Sequence, residues 1–297
     1  MDKNPTVKSA IIQYLQYKRE QKVLGEISEK HYNHTSYLLT RWISLYLGEN
    51  KYLSNFDVNH YEKYIIWRKS NTVKGIGQTS LLYEHNLLQA FLNWCYKNKL
   101  ISTEMKMKKP KFPKVKRGSF NRKELTQFLK LLRAKDTTLF FYMRFVLASF
   151  CRPGTEVEGL QWKHIITNNN YVEVHFPNGK VGRRSSICRH SVKHILRVWK
   201  HIRPAKTIND YIFPKISMSY RCKTIRECLQ HMGMTEDMFG QKMSAYSIRH
   251  SQITMHLNSG ADPYSLAKNS GTSLNMISKY YDATTLQDRA KHLFKRP

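Results

Sequence analysis

Carboxylates are scarce in this chain. Only 21 Asp and Glu stand against 50 Lys and Arg in 297 residues, a formal net charge of +29. Such a balance favours a polyanionic partner, with counterion release supplying most of the nonspecific affinity. A membrane surface fits less well, because no lipidation motif and no strongly amphipathic basic terminus is present. Cysteines are few and scattered, at positions 95, 151, 188, 222 and 228, with no CxxC pair. That odd, unpatterned set argues against a disulfide framework and for reduced thiols in the cytoplasm. Cys222, Cys228 and His231 match no zinc-ligand spacing, so no metal is expected. The opening Met-Asp-Lys-Asn-Pro carries no signal peptide. The most apolar stretch, Leu139 to Phe150, is short and interrupted by Arg144, which rules it out as a bilayer span. No repeat or low-complexity tract is visible. Charge and aromatic content together point to nucleic acid.

What is present is mainly helical patterning. Ile11, Ile12, Tyr14 and Leu15 begin one helix, and a second is expected from Tyr32 to Leu47. A third spans Val58 to Trp67. A fourth, Gln78 to Tyr96, has a broad apolar face of Leu81, Leu82, Leu87, Leu88, Phe91, Leu92 and Trp94. Residues 1–105 therefore read as an all-helical unit. Residues 106–118 follow as a linker, since Lys106 to Arg117 packs two prolines among many basic side chains. Lys106, Lys108, Lys109, Lys111, Lys114, Lys116 and Arg117 either follow a phosphate backbone or make a solvated hinge. Residues 119–297 form a second domain. It opens with a capping-box spacing at Asn121 and Glu124. A buried helix over Leu139 to Phe150 comes next. Val172, Val174 and Phe176 then alternate with polar residues before Asn178-Gly179, which predicts a hairpin with a tight turn. Helices resume at Ser191. The fold class is mainly α with a small antiparallel β-sheet.

Four residues carry chemistry in combination. Arg152 lies in Cys-Arg-Pro-Gly-Thr-Glu, Lys180 follows the Asn178-Gly179 turn, Arg249 lies in Tyr-Ser-Ile-Arg-His, and Tyr281 comes late. Arginine clamps phosphate oxygens with paired, charge-assisted hydrogen bonds. A tyrosine hydroxyl attacks phosphorus and stores the bond covalently. Taken singly, each has a plain structural reading. Arg152 would pair with Glu156 or Glu158, Arg249 would be a structural arginine, and Lys180 an ordinary exposed lysine. In the functional reading Lys180 projects from the hairpin tip with the charge of Arg183 and Arg184 behind it, and that tip enters a DNA groove.

The segment from Gly260 to Tyr281, with Gly-Thr-Ser-Leu-Asn-Met-Ile-Ser-Lys-Tyr-Tyr at its end, resembles the closing motif of the tyrosine recombinases, the phage-integrase family. Tyr246 to Ser251 resembles that family's Tyr-Ser-Leu-Arg-His-Thr box. Arg-Pro-Gly-Thr-Glu with Leu160 and Trp162 resembles its first arginine box, and Gly179 to Arg183 its hairpin. The resemblance implies an all-helical, SAM-like core-binding domain joined to a mixed α/β catalytic domain. It implies a site-specific recombinase or integrase of a mobile element, cutting and rejoining double-stranded DNA through a 3′-phosphotyrosyl bond without metal, ATP or other cofactor. Arg152 and Arg249 would hold the scissile phosphate, Lys180 would protonate the leaving oxygen, and Tyr281 would attack. Glu156 would hold the site together, with His250 in support. Tyr246 and Thr272 stand where many members have imidazole or indole groups, and their hydroxyls hydrogen-bond phosphate without acting as a base near neutral pH. Counting ten residues from Gly271 selects Tyr281 over Tyr280. Leu286, Ala290, Leu293 and Phe294 would form a tail helix exchanged between protomers of a homotetramer on two DNA sites. The chain would start at the core-binding domain without an amino-terminal arm-binding module. Rival readings are type IB topoisomerase-like relaxation, a DNA-binding protein with a decayed site, and an RNA-binding protein.

Overall fold

The computed structural model describes residues 4–73, 75–112, 118–179, 182–237 and 240–280. The chain divides into two compact units, Met1–Lys114 and Val115–Pro297.

The first unit is helical. Helix α1 (Val7–Val23) starts where the Thr6 hydroxyl accepts from the Ser9 amide at 3.2 Å, and α2 (Glu29–Leu38) where Ser28 does the same for His31. The sequence predicts one helix from Tyr32 to Leu47. Instead α2 widens into a π turn at Leu39–Ile43 before closing as α3 (Ser44–Leu47), which Gly48 ends at φ +84°. The wider turn seats Leu39, Ile43 and Leu47 together in the core. Helix α4 (Val58–Ser70) is capped by Asp57, and α5 (Gln78–Lys97) supplies Leu88, Phe91, Leu92 and Cys95 to the same core. An ion pair is buried in this unit. Arg68 Nε lies 2.9 Å from Glu84 Oε2, the Tyr64 hydroxyl donates to the same oxygen at 2.6 Å, and the guanidinium lies 3.6 Å from the centre of the Trp42 ring. The saturated bonding of Glu84 makes its burial tolerable.

The basic stretch after α5 is less loose than its composition predicts. Met107 is buried in the helical core, and Gln89 bonds both the Met107 amide and the Met105 carbonyl at 2.8 Å. The Lys108 amide donates to Glu62. One apolar side chain among lysines, with its backbone satisfied by Gln89, is enough to fasten the segment down. Lys106, Lys108, Lys109 and Lys111 remain exposed. Lys114, Lys116 and Arg117 lie outside the described residues.

In the second unit Asn121 and Glu124 form the expected reciprocal capping box, with bonds of 2.9 and 2.7 Å. Helix α6 (Arg122–Lys135) leads to α7 (Thr137–Ser149), whose Leu139, Phe141, Phe145 and Val146 are central to the core. An antiparallel sheet follows in the order β1 (Ile165–Thr167), β2 (Val172–Phe176), β3 (Arg184–Cys188). Phe176 pairs with Arg184, so the connection spans 177–183 rather than a two-residue turn at Asn178-Gly179. Within it the Gly182 amide bonds the Gly179 carbonyl at 3.2 Å. A Cβ on Gly179 would lie 2.3 Å from the Gly182 oxygen, so only glycine fits there. Helices α8 (Ser191–Ile202), α9 (Met218–His231), α10 (Ala245–Asn258), α11 (Pro263–Ser270) and α12 (Leu274–Tyr280) complete the unit. No described helix is long and apolar enough to cross a membrane.

Candidate active site

The site is built around the carboxyl end of α11. Gly271 follows that helix at φ +63°, and the chain turns back on itself. The Gly271 amide bonds the Lys268 carbonyl and the Thr272 amide bonds that of Ala267. This closure uses two of the last helical acceptors and leaves the next three carbonyls pointing onward. Three different arginines take them. Arg184 Nη1 donates to the Asn269 oxygen at 2.8 Å, Arg249 Nη2 to the Ser270 oxygen at 2.6 Å, and Arg152 Nη2 to the Gly271 oxygen. The negative end of the helix dipole favours the same gathering of cations.

A second acceptor comes from α7. Phe150, the residue after that helix, sits at φ +55°, a conformation that costs an L side chain about 1 kcal/mol. The turn aims its carbonyl at the cluster, where it accepts from Arg249 Nη1 and, at 3.5 Å, from Arg184 Nη2. The phenyl ring meanwhile packs with Ile253, Leu257, Leu266, Ala267 and Ile277, which offsets the strained backbone.

Glu156 is the counter-charge. It is 1% exposed and accepts from the Arg152 amide at 2.7 Å, from Arg152 Nη1, and from Arg184 Nε and Nη2 at 3.1 and 2.7 Å. Burial alone would raise the pKa of such a group, but the Arg184 and Arg152 bonds and charges outweigh it and hold the carboxyl below its ordinary value. Glu156 is therefore ionised at neutral pH. Arg152 and Arg184 share this carboxylate, and Arg249 joins them through the Phe150 and Ser270 carbonyls, which gathers three guanidiniums at a site suited to an oxyanion. The loop from Arg152 to Glu156 is pinned in turn by Tyr142, whose hydroxyl accepts from the Gly154 amide at 2.7 Å and from Arg221 at 3.2 Å. Glu158 pairs with Arg221 rather than with Arg152. The Cys151 thiol beside the cluster is pushed up to about 12 by burial, which rules it out as a nucleophile.

The structure thus brings together Arg152, Glu156 and Arg249, with Thr272 next to Gly271 in the same turn. Tyr246 lies one helical turn before Arg249 on α10 and is 39% exposed, while His250 is buried. Lys180 and Tyr281 lie outside the described residues, as does the tail from Leu286 to Phe294. Arg183 and Arg184 part company. Arg183 is exposed, whereas Arg184 turns inward with 9% of its side chain exposed and spends its donors on Glu156, Asn269 and Phe150. Its expected place on an outward-facing hairpin tip is corrected by that ion pair. Sequence reasoning also passed over Asn269. Its side chain accepts from the Ile187 amide at 2.6 Å and donates to the Ile187 carbonyl at 2.9 Å, occupying the outer edge of β3. An asparagine two residues before a helix-ending glycine is the only signal the sequence offers for it. Among the described residues no group of three His, Cys, Asp or Glu side chains is placed to hold a metal ion.

No protein-family model and no curated protein matches this chain. Solved structures do. XerH site-specific recombinase bound to its difH substrate is 16% identical, with a TM-score of 0.64 over 90% of this chain and 80% of that one. A lambda integrase tetramer bound to a Holliday junction gives 14% identity and a TM-score of 0.74 over 92% and 79%. The Tn1549 transposon integrase in complex with transposon right end DNA gives 13% and 0.73 over 97% and 98%. At such low identity the likeness is one of architecture, and the helical first unit followed by helices around a three-stranded antiparallel sheet is the fold of the tyrosine recombinases.

Proposed function

We propose that the chain is a site-specific DNA recombinase of a mobile element that cuts and rejoins double-stranded DNA through Tyr281. The observation that carries this reading is the gathering of Arg152, Arg184 and Arg249 around Glu156 and the end of α11. Arg184, which ties Glu156 to the Asn269 carbonyl, is the organiser. Arg152 and Arg249 are the phosphate-binding pair, stabilising the charge that builds on the non-bridging oxygens in the pentacoordinate transition state. The Tyr281 hydroxyl attacks phosphorus and passes its proton to the arginine-bound phosphate or a neighbouring base. The bond to the 5′-oxygen breaks, and Lys180 protonates that leaving oxygen. The 3′-phosphotyrosyl ester retains the energy of the broken phosphodiester, so a 5′-hydroxyl from the partner site displaces Tyr281 without an external energy source. Tyr246 and Thr272 donate hydrogen bonds to the same phosphate, and His250 supports Arg249 from behind.

Two protomers on each of two DNA sites, linked by exchange of the tail that contains Leu286, Ala290, Leu293 and Phe294, complete the assembly. Both units, residues 1–105 and 119–297, contact the duplex, and the exposed lysines from Lys106 onward, with Lys114, Lys116, Arg117 and Arg183, follow its phosphate backbone. The solved integrases and recombinases of this fold are DNA complexes, which supports a DNA partner. The test is a duplex carrying two candidate element ends. Joining of the two ends, lost in Arg152→Ala and Arg249→Ala, supports strand exchange. Relaxation of supercoiled DNA without joining would instead place the chain with the type IB topoisomerases.

A further inference from the structure

The outer face of α8 carries a row of basic side chains. Between Lys193 and His201 its exposed residues are Lys193, His194, Arg197, Lys200 and His201, while Ile195, Leu196 and Trp199 are buried. No Asp or Glu occurs in this helix. Among the described residues, none of Lys193, Arg197 and Lys200 pairs with a carboxylate. Exposed Arg189 and Arg203 prolong the row at either end, and Lys206 follows. Helix α6 in the same unit is different: Glu124 interrupts its basic residues and Lys135 pairs with Glu227 at 2.7 Å.

Like charges one turn apart oppose helix formation, and α8 carries Lys193, Arg197 and Lys200 in that relation without relief. A row of cations repeating about every 5.4 Å suits a row of phosphates. Lys200 is held in place, its ammonium 5.2 Å from the centre of the Trp162 ring. The row leads away from the arginine cluster: Arg189 lines the same cavity as Phe150 and Asn269, whereas Trp199 of α8 packs on Phe141, well before Phe150 along α7. Arg184 opens β3 within the cluster, Cys188 closes the strand about 13 Å further on, and α8 starts beyond it.

We propose that the outer face of α8 is a second DNA-contacting surface, which takes the phosphate backbone of duplex flanking the segment held at the arginine cluster. This inference rests on the reading of the chain as a DNA-acting enzyme. It adds a contact that lengthens the footprint without touching the reacting phosphate.

The test uses the full chain, a surface variant K193Q/R197Q/K200Q and the charge-preserving K193R/R197K/K200R. Each is titrated against nicked duplexes carrying a candidate element end, one trimmed and one with long flanks, over a range of salt. On the long duplex the glutamine variant is expected to lose about 2–3 from the slope of log affinity against log salt, at roughly 0.9 per phosphate contact. On the trimmed duplex it should match wild type, and so should its yield of covalent adduct. The charge-preserving variant should match wild type on both. Identical slopes for all three proteins on the long duplex would overturn the proposal. So would unchanged DNA slopes with loss of binding to poly-glutamate, which would assign the face to an acidic protein. A slope loss on flanked DNA in a protein that forms no adduct would sustain the α8 surface while removing the catalytic reading.

Discussion

Glu156 and Gly271 are the single residues on which the site turns. The folded carboxyl of Glu156 lies below its ordinary value of 4.5, so the folded state binds fewer protons than the unfolded chain there. Its contribution to stability is then complete above about pH 5 and fades as the pH falls through the folded value. Glu156→Gln leaves buried guanidiniums uncompensated and should cost about 3 kcal/mol at pH 7. Denaturant unfolding of both proteins should show that gap narrowing as the buffer is taken from pH 7 towards pH 4; a gap that widens in acid would refute the assignment. Gly271→Ala faces two obstacles. Its φ is positive, and a Cβ would lie 2.5 Å from Cδ and 2.7 Å from Nε of Arg184, a side chain that Glu156 holds fast. A loss of about 2 kcal/mol is expected from thermal unfolding. The spacing around Arg152 left Glu156 and Glu158 open as partners, and the structure selects Glu156. The inward turn of Arg184 was not legible, because its partners lie 28 and 85 residues away in sequence. Nor does any sequence signal mark a phenylalanine for a left-handed turn; the carbonyl of Phe150 is placed by tertiary contacts.

Among the elements, α11 and β3 work as a pair. Asn269 satisfies the outward amide and carbonyl of Ile187 on the edge strand, much as another strand would, and its own carbonyl receives Arg184 from that strand. The latch fixes β3 against α11. Asn269→Ala should therefore cost about 2 kcal/mol, from two lost hydrogen bonds and an exposed edge. It should also raise the exchange rate of the Ile187 amide well above those of Glu173 and Val174. Equal protection of Ile187 in the variant and the wild type would contradict the latch. Most helices and the hairpin strand from Val172 to Phe176 could be read from periodicity, with caps at Asn121 and Glu124 marking a boundary correctly, whereas the three-residue β1 is too short to show a period. The departures have local causes. The π turn at Leu39–Ile43 leaves the apolar spacing nearly helical, and the long 177–183 connection hides an Asn-Gly pair that belongs to a wider loop. Met107 joins the core because Gln89, 18 residues upstream, satisfies its backbone.

For the whole molecule, the excess of cations favours a polyanionic partner, and the fold is the one seen in the DNA-bound recombinases and integrases it resembles. Net charge alone would equally suit any polyanion. The ordered boxes around Arg152, Arg249 and Gly271 narrow the choice, and the three successive carbonyls of Asn269, Ser270 and Gly271 give those boxes a shared physical task. The central claim is covalent catalysis by Tyr281, and the most direct measurement is adduct formation on a nicked suicide duplex carrying a candidate element end. Wild type, Tyr281→Phe and Tyr280→Phe are run side by side in chelator. A denaturation-resistant protein–DNA band in wild type and Tyr280→Phe, absent in Tyr281→Phe, is the predicted result. A band that survives Tyr281→Phe, or no band on any duplex that the protein binds tightly, would contradict it.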